Sequence, residues 1–533
     1  MSNETRGASG IRRLFLRKSI AQVQEENEHQ ELKRTLGPLH LVLLGIGCII
    51  GTGIFVLLGR AAAVYAGPGI MISFVITGTL CAFVALCYAE LASMLPVSGS
   101  AYSYSYVSMG EIVAWIMGLL LLLEYGLAAS TVAVGWSGYL VSLLHDLGIV
   151  IPPHWTAAPG VPIVNDAGEQ VGAGIVNLPA MVSICAMTLL LVVGVSESAT
   201  VNNVMVAIKL TVIIAFIVLG VGHVDPANWT PLIPPEQPAA TNADAPFWQQ
   251  LGQVLWDVIR GQSTSHYGLG GVIHAAAVIF FAYLGFEAVS TAGAESRNPK
   301  RDLPIGILTP LVICTVLYIL TAAVLVGIVP YASLDNPAPI ATAVNAIGLG
   351  WFAIFVKIGA IAGLSSVMLV LLYGQTRIFY TMSRDGLLPP VLASVHPRFR
   401  TPWINTLIVG LVAAGAAGFM SLNILSDVTN VGSLAAFGIV CITVMYLRVT
   451  SPEVQRPFRT PLFPWVPIFG VVLCIILLMS LMAVPETRTF FLIYIVVGTA
   501  FYFVYSVRHS KLARGEKVKG HEAAPMELPQ TKL

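Results

Sequence analysis

The stretch GIGCIIGTGIF, residues 45–55, lies inside the first long apolar segment of the chain. It places four glycines within nine residues, and glycine disfavours a helix because it loses the most backbone entropy there. Small residues of this kind let two membrane helices pack closely. Alternatively, the helix breaks here, and the N–H groups at the start of its second half face a carboxylate. The stretch alone allows both interpretations, and we favour the broken helix.

A second interruption, FFAYLGFEAVSTAGAES at residues 280–296, lies inside the sixth apolar segment. It contains Glu287, and a carboxylate within an apolar segment is costly and usually functional. These are the only two segments of the sequence with a short glycine-centred interruption near the middle. Matching breaks in two halves of a chain are typical of transporters built from inverted repeats, which bind substrate at the breaks. The pair therefore predicts a carrier.

The composition also indicates a membrane protein. The chain of 533 residues is 56% hydrophobic and 10% charged, with a mean hydropathy of +0.81, whereas a soluble domain carries about 25% charged residues. A net charge of +1 argues against nucleic-acid binding. Apolar runs of the length that a spanning helix needs recur along the chain. We predict twelve spans, at residues 39–66, 69–95, 109–145, 177–196, 201–222, 270–294, 304–330, 350–380, 403–422, 427–448, 463–484 and 487–508.

The predicted fold class is an all-α integral membrane protein with two inverted five-helix repeats and two additional helices. Most of the 28 Lys and Arg residues fall in the two tails and in the loops after the sixth, eighth and tenth spans. This bias predicts that both termini are cytoplasmic. The lipid bilayer is the expected surrounding, in the cell membrane. The predicted units are the tail 1–38, the first repeat 39–222, an extracellular loop 223–269, the second repeat 270–448, the additional helices 449–508 and the tail 509–533.

Several segments outside the spans have their own predictions. Residues 11–20, IRRLFLRKSI, mix bulky apolar residues with Arg and Lys. They fit either a helix on the anionic inner leaflet or a solvated tail. The tail 509–533 is predicted to be disordered. The long outer loops 146–176 and 223–269 are predicted to lie on the surface, with a short helix near residues 248–259.

Two charged residues inside apolar segments have both a structural and a functional interpretation. Lys209 lies about nine residues into the fifth span, too deep for simple snorkelling. An ammonium in a cavity beside the first helix could load and release a proton, and it would occupy the place of a sodium ion. Glu124, deep in the third span, fits either a structural hydrogen bond or a pair with a cationic substrate.

Other classes of site are missing from the sequence. There is no Ser/His/Asp arrangement, phosphate-binding loop or HExxH motif, and the seven cysteines form no CxxC pair. We therefore expect no enzyme, no catalytic residues, no metal and no cofactor.

The sequence resembles the amino acid–polyamine–organocation superfamily, and within it the cationic amino acid transporter branch. The resemblance covers roughly residues 35–510. The predicted number of spans, twelve, is that of bacterial members, whereas some animal members have fourteen. The matching motifs, in the family's order, are GIGCIIGTGIF at 45–55, YAELASMLPVSGSAYSYSY at 88–106, LLLEYGLAASTVAVGWSGY at 121–139, FFAYLGFEAVSTAGAESRNPKRDLP at 280–304 and TRIFYTMSRDGLLP at 376–389.

The resemblance implies a LeuT-type fold in which the first and sixth helices unwind at mid-membrane. In relatives, amides of the first unwound segment meet the substrate α-carboxylate, and here these correspond to Gly51, Thr52 and Gly53, with the Thr52 hydroxyl helping. The ring of Phe281 would cover the bound substrate. Carbonyls that would meet the α-ammonium correspond to Ile49, Phe281, Ala282 and Leu284.

The same resemblance assigns roles to polar residues. Lys209 matches a lysine implicated in proton coupling, Glu287 matches an acidic position in the sixth helix, and Glu124 matches a third-helix acid of this branch. Side-chain specificity would lie between the third, sixth and eighth helices. In the eighth, the small residues Gly363, Ser365 and Ser366 could leave room for a long side chain.

The expected function is proton-coupled import of an L-amino acid by alternating access. The alternative is an exchanger or facilitator without net proton coupling. A membrane-embedded sensor is less favoured, because the tails are too short for a signalling domain. Cationic and small neutral substrates both stay open, as does a small membrane partner subunit.

Overall fold

The computed structural model describes residues 14–19, 36–97, 99–164, 170–194, 199–237, 246–260, 266–399 and 401–515. Most of these residues are helical. In the first half, the helices are α1 Pro38–Ile49, α2 Leu58–Ala61, α3 Ile70–Met94, α4 Ser100–Ser108, α5 Glu111–Leu121, α6 Ala128–Asp146, α7 Leu178–Val193 and α8 Ala199–Gly220. In the second half, they are α9 Phe247–Ile259, α10 Gly268–Ile279, α11 Pro299–Ile328, α12 Pro339–Ala346, α13 Gly350–Arg384, α14 Trp403–Phe419, α15 Leu422–Thr450, α16 Trp465–Met482, α17 Pro485–Phe501 and α18 Val507–His509.

Turns of π-helix join several of these helices into longer units. Gly53–Leu57 and Ala62–Ala66 continue α2 in both directions, so residues 53–66 form one rod, which we call the 53–66 rod. Leu122–Leu127 likewise joins α5 to α6. Gly67 has a φ of +56° and turns the rod into α3, a conformation that favours glycine.

Nine helical stretches in the described part of the chain are long and apolar enough to cross a membrane. Three shorter apolar helices, α1, α7 and α14, accompany them. Together they coincide with the twelve segments predicted from hydropathy, although the stretch Gly53–Met94 covers parts of two. The chain is thus a mostly helical multi-span protein, and the twelve-helix LeuT-type topology stays a prediction.

The two long loops, 146–176 and 223–269, contain more regular structure than the sequence indicated. Within the loop 146–176, β1 (Pro162–Val164) and β2 (Gln170–Ala173) pair as an antiparallel hairpin. The short helix predicted near residues 248–259 is present as α9.

Helices of the two halves pack against each other. Both α1 and α3 lie along α11. A Cβ on Gly45 of α1 would lie 2.6 Å from the Pro310 ring of α11, so only glycine allows this approach. Helix α1 is therefore held by the second half of the chain.

A buried carboxylate anchors the loop between α15 and α16. Glu90 of α3 accepts hydrogen bonds from Arg448 Nε at 2.9 Å and Arg448 Nη2 at 2.6 Å. Its oxygens also accept from the backbone N–H of Thr460 at 2.8 Å, and Arg456 Nε lies 3.4 Å away. The loop therefore folds around two arginines that share one carboxylate.

The described parts of the two tails meet at one end of the molecule. Lys18 Nζ pairs with Asp385 Oδ1 at 2.7 Å, and the N–H of Lys511 donates to the Asp385 carbonyl at 3.1 Å. Tyr102 donates to Asp385 Oδ2 at 2.8 Å, and burial followed by the Asp385 charge raises the pKa of Tyr102 well above its usual value. The phenol therefore stays a donor at physiological pH. Both described tails lie on the same side, and their predicted cytoplasmic location stays a prediction.

The tail predictions are only partly covered by the described residues. Of the segment 11–20, residues 14–19 are described: they make one short turn and then run without helix to Lys18. Of the tail predicted to be disordered, residues 509–515 are described and end in turns against the helical ends. Residues 1–13, 20–35 and 516–533 lie outside the described part.

Candidate functional site

The first helical segment is interrupted where its glycines cluster. Helix α1 ends at Ile49, Ile50 is extended with φ −74° and ψ 102°, and helical structure resumes in the rod that starts at Gly53. The N-terminal end of this rod carries unsatisfied N–H groups and a partial positive charge. A break of three residues thus points donors at whatever lies beside Gly51 and Thr52.

The sixth segment is interrupted at Leu284 and Gly285. Helix α10 passes into a 3₁₀ turn, Phe280–Tyr283, and a second 3₁₀ stretch, Glu287–Glu295, follows the break. Gly285 has a φ of +115°, and a Cβ there would lie 2.7 Å from the Cys48 Cβ. Glycine is required here both for the backbone conformation and for the contact with α1.

The two breaks touch each other. A Cβ on Gly53 would lie only 2.2 Å from the Ala282 Cα. Tyr318 of α11 binds both breaks, since its hydroxyl lies 2.9 Å from the carbonyl oxygen of Ile49 and 3.0 Å from that of Ala282. Sequence reasoning missed Tyr318. A tyrosine in an apolar helix needs a partner for its hydroxyl, but this signal does not say which one.

A small cavity of about 20 Å³ lies between the breaks. That volume holds a water molecule or two, and it is too small for an amino acid. Its lining residues are Cys48, Ile49, Gly51, Thr52, Gly53, Ala128, Val132, Phe281, Leu284, Val367 and Leu371. Six of the seven residues predicted to bind substrate line it, and the seventh, Ala282, contributes the carbonyl held by Tyr318.

Thr52 supplies the side-chain hydroxyl among the lining residues of this cavity. The Thr52 hydroxyl is fully buried and has no hydrogen-bond partner among the described residues. Gly135 of α6 lies directly behind it, and a Cβ there would be 3.2 Å from Thr52 Oγ1. Beside the rod's N-terminal end, an orphaned hydroxyl can donate to a carboxylate.

Four other lining residues of the cavity have aliphatic side chains. Ala128 and Val132 lie one turn apart on α6, and Val367 and Leu371 lie one turn apart on α13. Sequence reasoning did not single out these four residues, because aliphatic residues are common on every membrane helix. They leave no charged side chain among the cavity's lining residues.

The three small residues predicted to shape specificity on α13 lie outside the cavity lining. Ser365 accepts from the Trp136 indole at 2.9 Å, and Ser366 donates to the Gly363 carbonyl at 3.0 Å. Gly363 packs on the stem of Lys209, since a Cβ there would lie 2.8 Å from the Lys209 Cε.

Lys209 is completely buried beside α1. Its Nζ donates to the carbonyl of Gly47 at 2.8 Å, two residues before Ile49. The lysine is therefore attached to the half-helix that forms one wall of the cavity, as the sequence predicted for an ammonium beside the first helix.

Two buried carboxyl groups, Glu124 and Glu287, lie close enough to interact electrostatically. Glu287 accepts from the Gly285 N–H at 2.8 Å and from Tyr125 at 3.5 Å. Neither carboxyl oxygen of Glu124 has a hydrogen-bond partner among the described residues. Glu287 is thus tied to the second break, while Glu124 lies one turn before the cavity residue Ala128.

Comparison with known proteins gives long matches. A family model described as amino acid permease matches residues 36–502. The chain is 44% identical over 499 residues to the methylthioribose transporter of Bacillus subtilis, and 41% identical over 501 residues to that organism's branched-chain amino acid permease BcaP. Both matches cover 94% of this chain and 99% of the relative. The chain is also 36% identical over 436 residues to the vacuolar cationic amino acid transporter 4 of Arabidopsis thaliana. This match covers 82% of this chain and 66% of the relative.

Proposed function

The chain belongs to the amino acid permease family, and on that premise we propose that it carries a neutral aliphatic amino acid across the cell membrane together with protons. Amino acid transport follows from the family and its relatives, and so does a transporter rather than an enzyme. The substrate class, the proton and the residues that bind them form the proposal. The observation that supports it most directly is the cavity between two touching helix breaks, which is lined by the first break with its Thr52 hydroxyl and by aliphatic side chains of α6 and α13.

The main-chain groups of the substrate would bind at the breaks. The α-carboxylate would accept from the amides of Gly51, Thr52 and Gly53 and from the Thr52 hydroxyl, which otherwise has no partner among the described residues. The α-ammonium would donate to the carbonyls of the two broken segments, at Ile49, Phe281, Ala282 and Leu284. Tyr318 has one hydroxyl hydrogen, so it satisfies only one of its two carbonyls at a time and leaves the other for the substrate.

The side chain of the substrate would lie against Ala128, Val132, Val367 and Leu371. A charged side chain would be desolvated against this aliphatic wall without a partner among the lining residues, which is costly. An aliphatic side chain gains by the same burial. The similarity to a branched-chain permease agrees with this choice. The role predicted for Gly363, Ser365 and Ser366 would then be indirect, through the packing of α13 and Lys209.

Binding requires the cavity to grow, which fits alternating access. Phe281 and Leu284 belong to the second break and line the cavity, so a movement of that segment would open it. We propose that the two breaks act as hinges of a twelve-helix LeuT-type fold with cytoplasmic termini. The contact of α1 and α3 with α11 supports such an arrangement of interlocked repeats.

Proton coupling would involve Lys209 and Glu287. Each is buried: Lys209 donates to the Gly47 carbonyl near the end of α1, just before the first break, and Glu287 accepts from the Gly285 N–H within the second break. A change in protonation would alter the hydrogen bonding at or next to a hinge. The alternative is an exchanger or facilitator of the same fold without net proton movement. Counterflow measured with and without a pH gradient separates the two.

The substrate class can be tested by thermal unfolding of the purified protein with each amino acid in turn. We expect leucine, isoleucine or valine to stabilise it, by about 2.7 kcal/mol at 100 times the Kd. Thr52→Val, which keeps the shape but removes the hydroxyl, should weaken this stabilisation. Stabilisation by lysine or arginine alone, or by methylthioribose alone, would contradict the proposed substrate class.

The coupling proposal predicts the behaviour of Lys209→Ala in proteoliposomes. Proton-driven accumulation should be lost while amino acid binding, measured by the thermal shift, remains. Lys357→Ala is the matched control, because Lys357 is also a buried lysine but pairs with Asp146 at 2.5 Å, away from the breaks. Uphill uptake that persists in Lys209→Ala, with unchanged acidification of the lumen, would rule out a coupling role for Lys209.

A further inference from the structure

Helix α9 has three distinct faces, of which the first packs on the protein. Val258 is fully buried, and Leu251, Val254 and Leu255 are partly buried against the core. The neighbours of α9 are α10 and α16. This face accounts for the position of α9 but not for the rest of its composition.

A second face of α9 is apolar and exposed. Trp248 is 77% exposed, Trp256 52% and Ile259 51%, and at about 3.6 residues per turn they share one side of the helix with Gly252. The third face carries Gln249 and Gln253, and Gln253 Nε2 lies 3.3 Å from Asp257 Oδ2. Exposing the two large tryptophan side chains of the second face to water would be unfavourable.

Helix α9 packs on two helices, α10 and α16, that belong to stretches long and apolar enough to cross a membrane. His274 of α10 bonds to Ser480 of α16 at 3.0 Å, so the middle of α10 lies beside the end of α16. Farther along α16, Val472 and Ile475 are 45% and 52% exposed, as expected for side chains that face lipid. Helix α9 therefore packs beside a helix whose exposed side chains are apolar.

We infer that α9 lies in the membrane interface, with Trp248, Trp256 and Ile259 buried at the boundary between phospholipid headgroups and acyl chains. Tryptophan is enriched at this depth, because its ring is apolar and its N–H can donate to a headgroup. A helix with apolar and polar faces lies flat there. Arg260, whose guanidinium lies 4.6 Å from the Trp256 ring centre, ends the helix where a lipid phosphate would be. The occupant of the exposed face is therefore phospholipid.

Spin labels at neighbouring positions test this inference. Gly252 lies on the apolar face, and a Cβ there meets no atom within 4 Å, so Gly252→Cys accepts a nitroxide. Gln253→Cys places the same label on the polar face, one residue away. Both variants carry Cys185→Ser, because Cys185 is the exposed cysteine among the described residues. The protein is reconstituted in phosphatidylcholine–phosphatidylglycerol vesicles, and collisions with oxygen and with a water-soluble nickel chelate are measured.

The label at Gly252 should collide severalfold more with oxygen, relative to the nickel chelate, than the label at Gln253. Equal access of both labels to the chelate would show that α9 is in water and would overturn the inference. A label at Gly252 shielded from both reagents would mean that protein covers the face, which also overturns it. Neither readout depends on transport, so the inference and the proposed function can fail separately.

Discussion

Gly53→Ala is expected to abolish amino acid uptake and to lower the stability of the fold. The added Cβ would lie 2.2 Å from the Ala282 Cα and 2.6 Å from the Ala282 nitrogen, so it meets backbone rather than a movable side chain. Overpacking usually costs about 1–3 kcal/mol, and contact between two backbones leaves little room for relaxation. The two helix breaks would be forced apart at the cavity. Uptake in proteoliposomes and thermal unfolding measure the two effects.

Gly51→Ala is the matched control for this change. Its Cβ would lie 3.5 Å from the nearest atom, a Val367 methyl, which is an ordinary contact. The variant should fold with near-normal stability. Adding Ala282→Gly to Gly53→Ala removes the contact between the two Cβ atoms but keeps the shorter one to the Ala282 Cα, so it should restore stability only in part. An equal loss of stability in Gly51→Ala and Gly53→Ala would refute the proposed contact between the breaks.

Glu90→Gln is expected to destabilise the protein far more than the loss of an exposed ion pair would. The carboxylate is 2% exposed and lies within 3.4 Å of two arginines, Arg448 and Arg456. When the Glu90 charge is removed, both guanidiniums stay largely buried with no formal counter-charge at this site. Breaking a buried pair costs roughly 3–5 kcal/mol. The loop between α15 and α16 should detach from α3. Unfolding in detergent, followed by tryptophan fluorescence, measures the change.

Asp335→Asn provides the comparison for an exposed pair. Arg60 and Asp335 lie 3.3 Å apart, but Asp335 is 47% exposed, and such pairs contribute roughly 0.2–1 kcal/mol. A loss of stability in Glu90→Gln no larger than that in Asp335→Asn would mean that the Glu90 cluster is hydrated and contributes little.

The membrane class and the two breaks could be predicted from local sequence, because both are local properties. A run of about 20 apolar residues either crosses hydrocarbon or must be buried, and glycines at 51, 53 and 285 lower the cost of leaving the helix. Neither property needs a distant partner to be recognised. The family's motifs then assigned positions such as Thr52 and Phe281, and the structure brings these to one cavity.

Contacts between distant residues could not be predicted in this way. Tyr318 reaches the carbonyls of Ile49 and Ala282 across long separations in the chain. Similarly, Glu90 meets Arg448, which lies 358 residues away along the chain. One sequence contains no information on which of many tyrosines or arginines meets a given partner.

The sequence by itself therefore determined a multi-span helical chain with two weak points in its helices and a buried lysine near the first. Only the tertiary structure decided that the weak points touch, that aliphatic residues of α6 and α13 close the cavity, and that Gly363 supports Lys209 rather than lining the site. The physical reason is range. Helix formation and its interruption depend on neighbouring residues, whereas the shape and polarity of a cavity depend on packing between helices that the chain connects only through long loops.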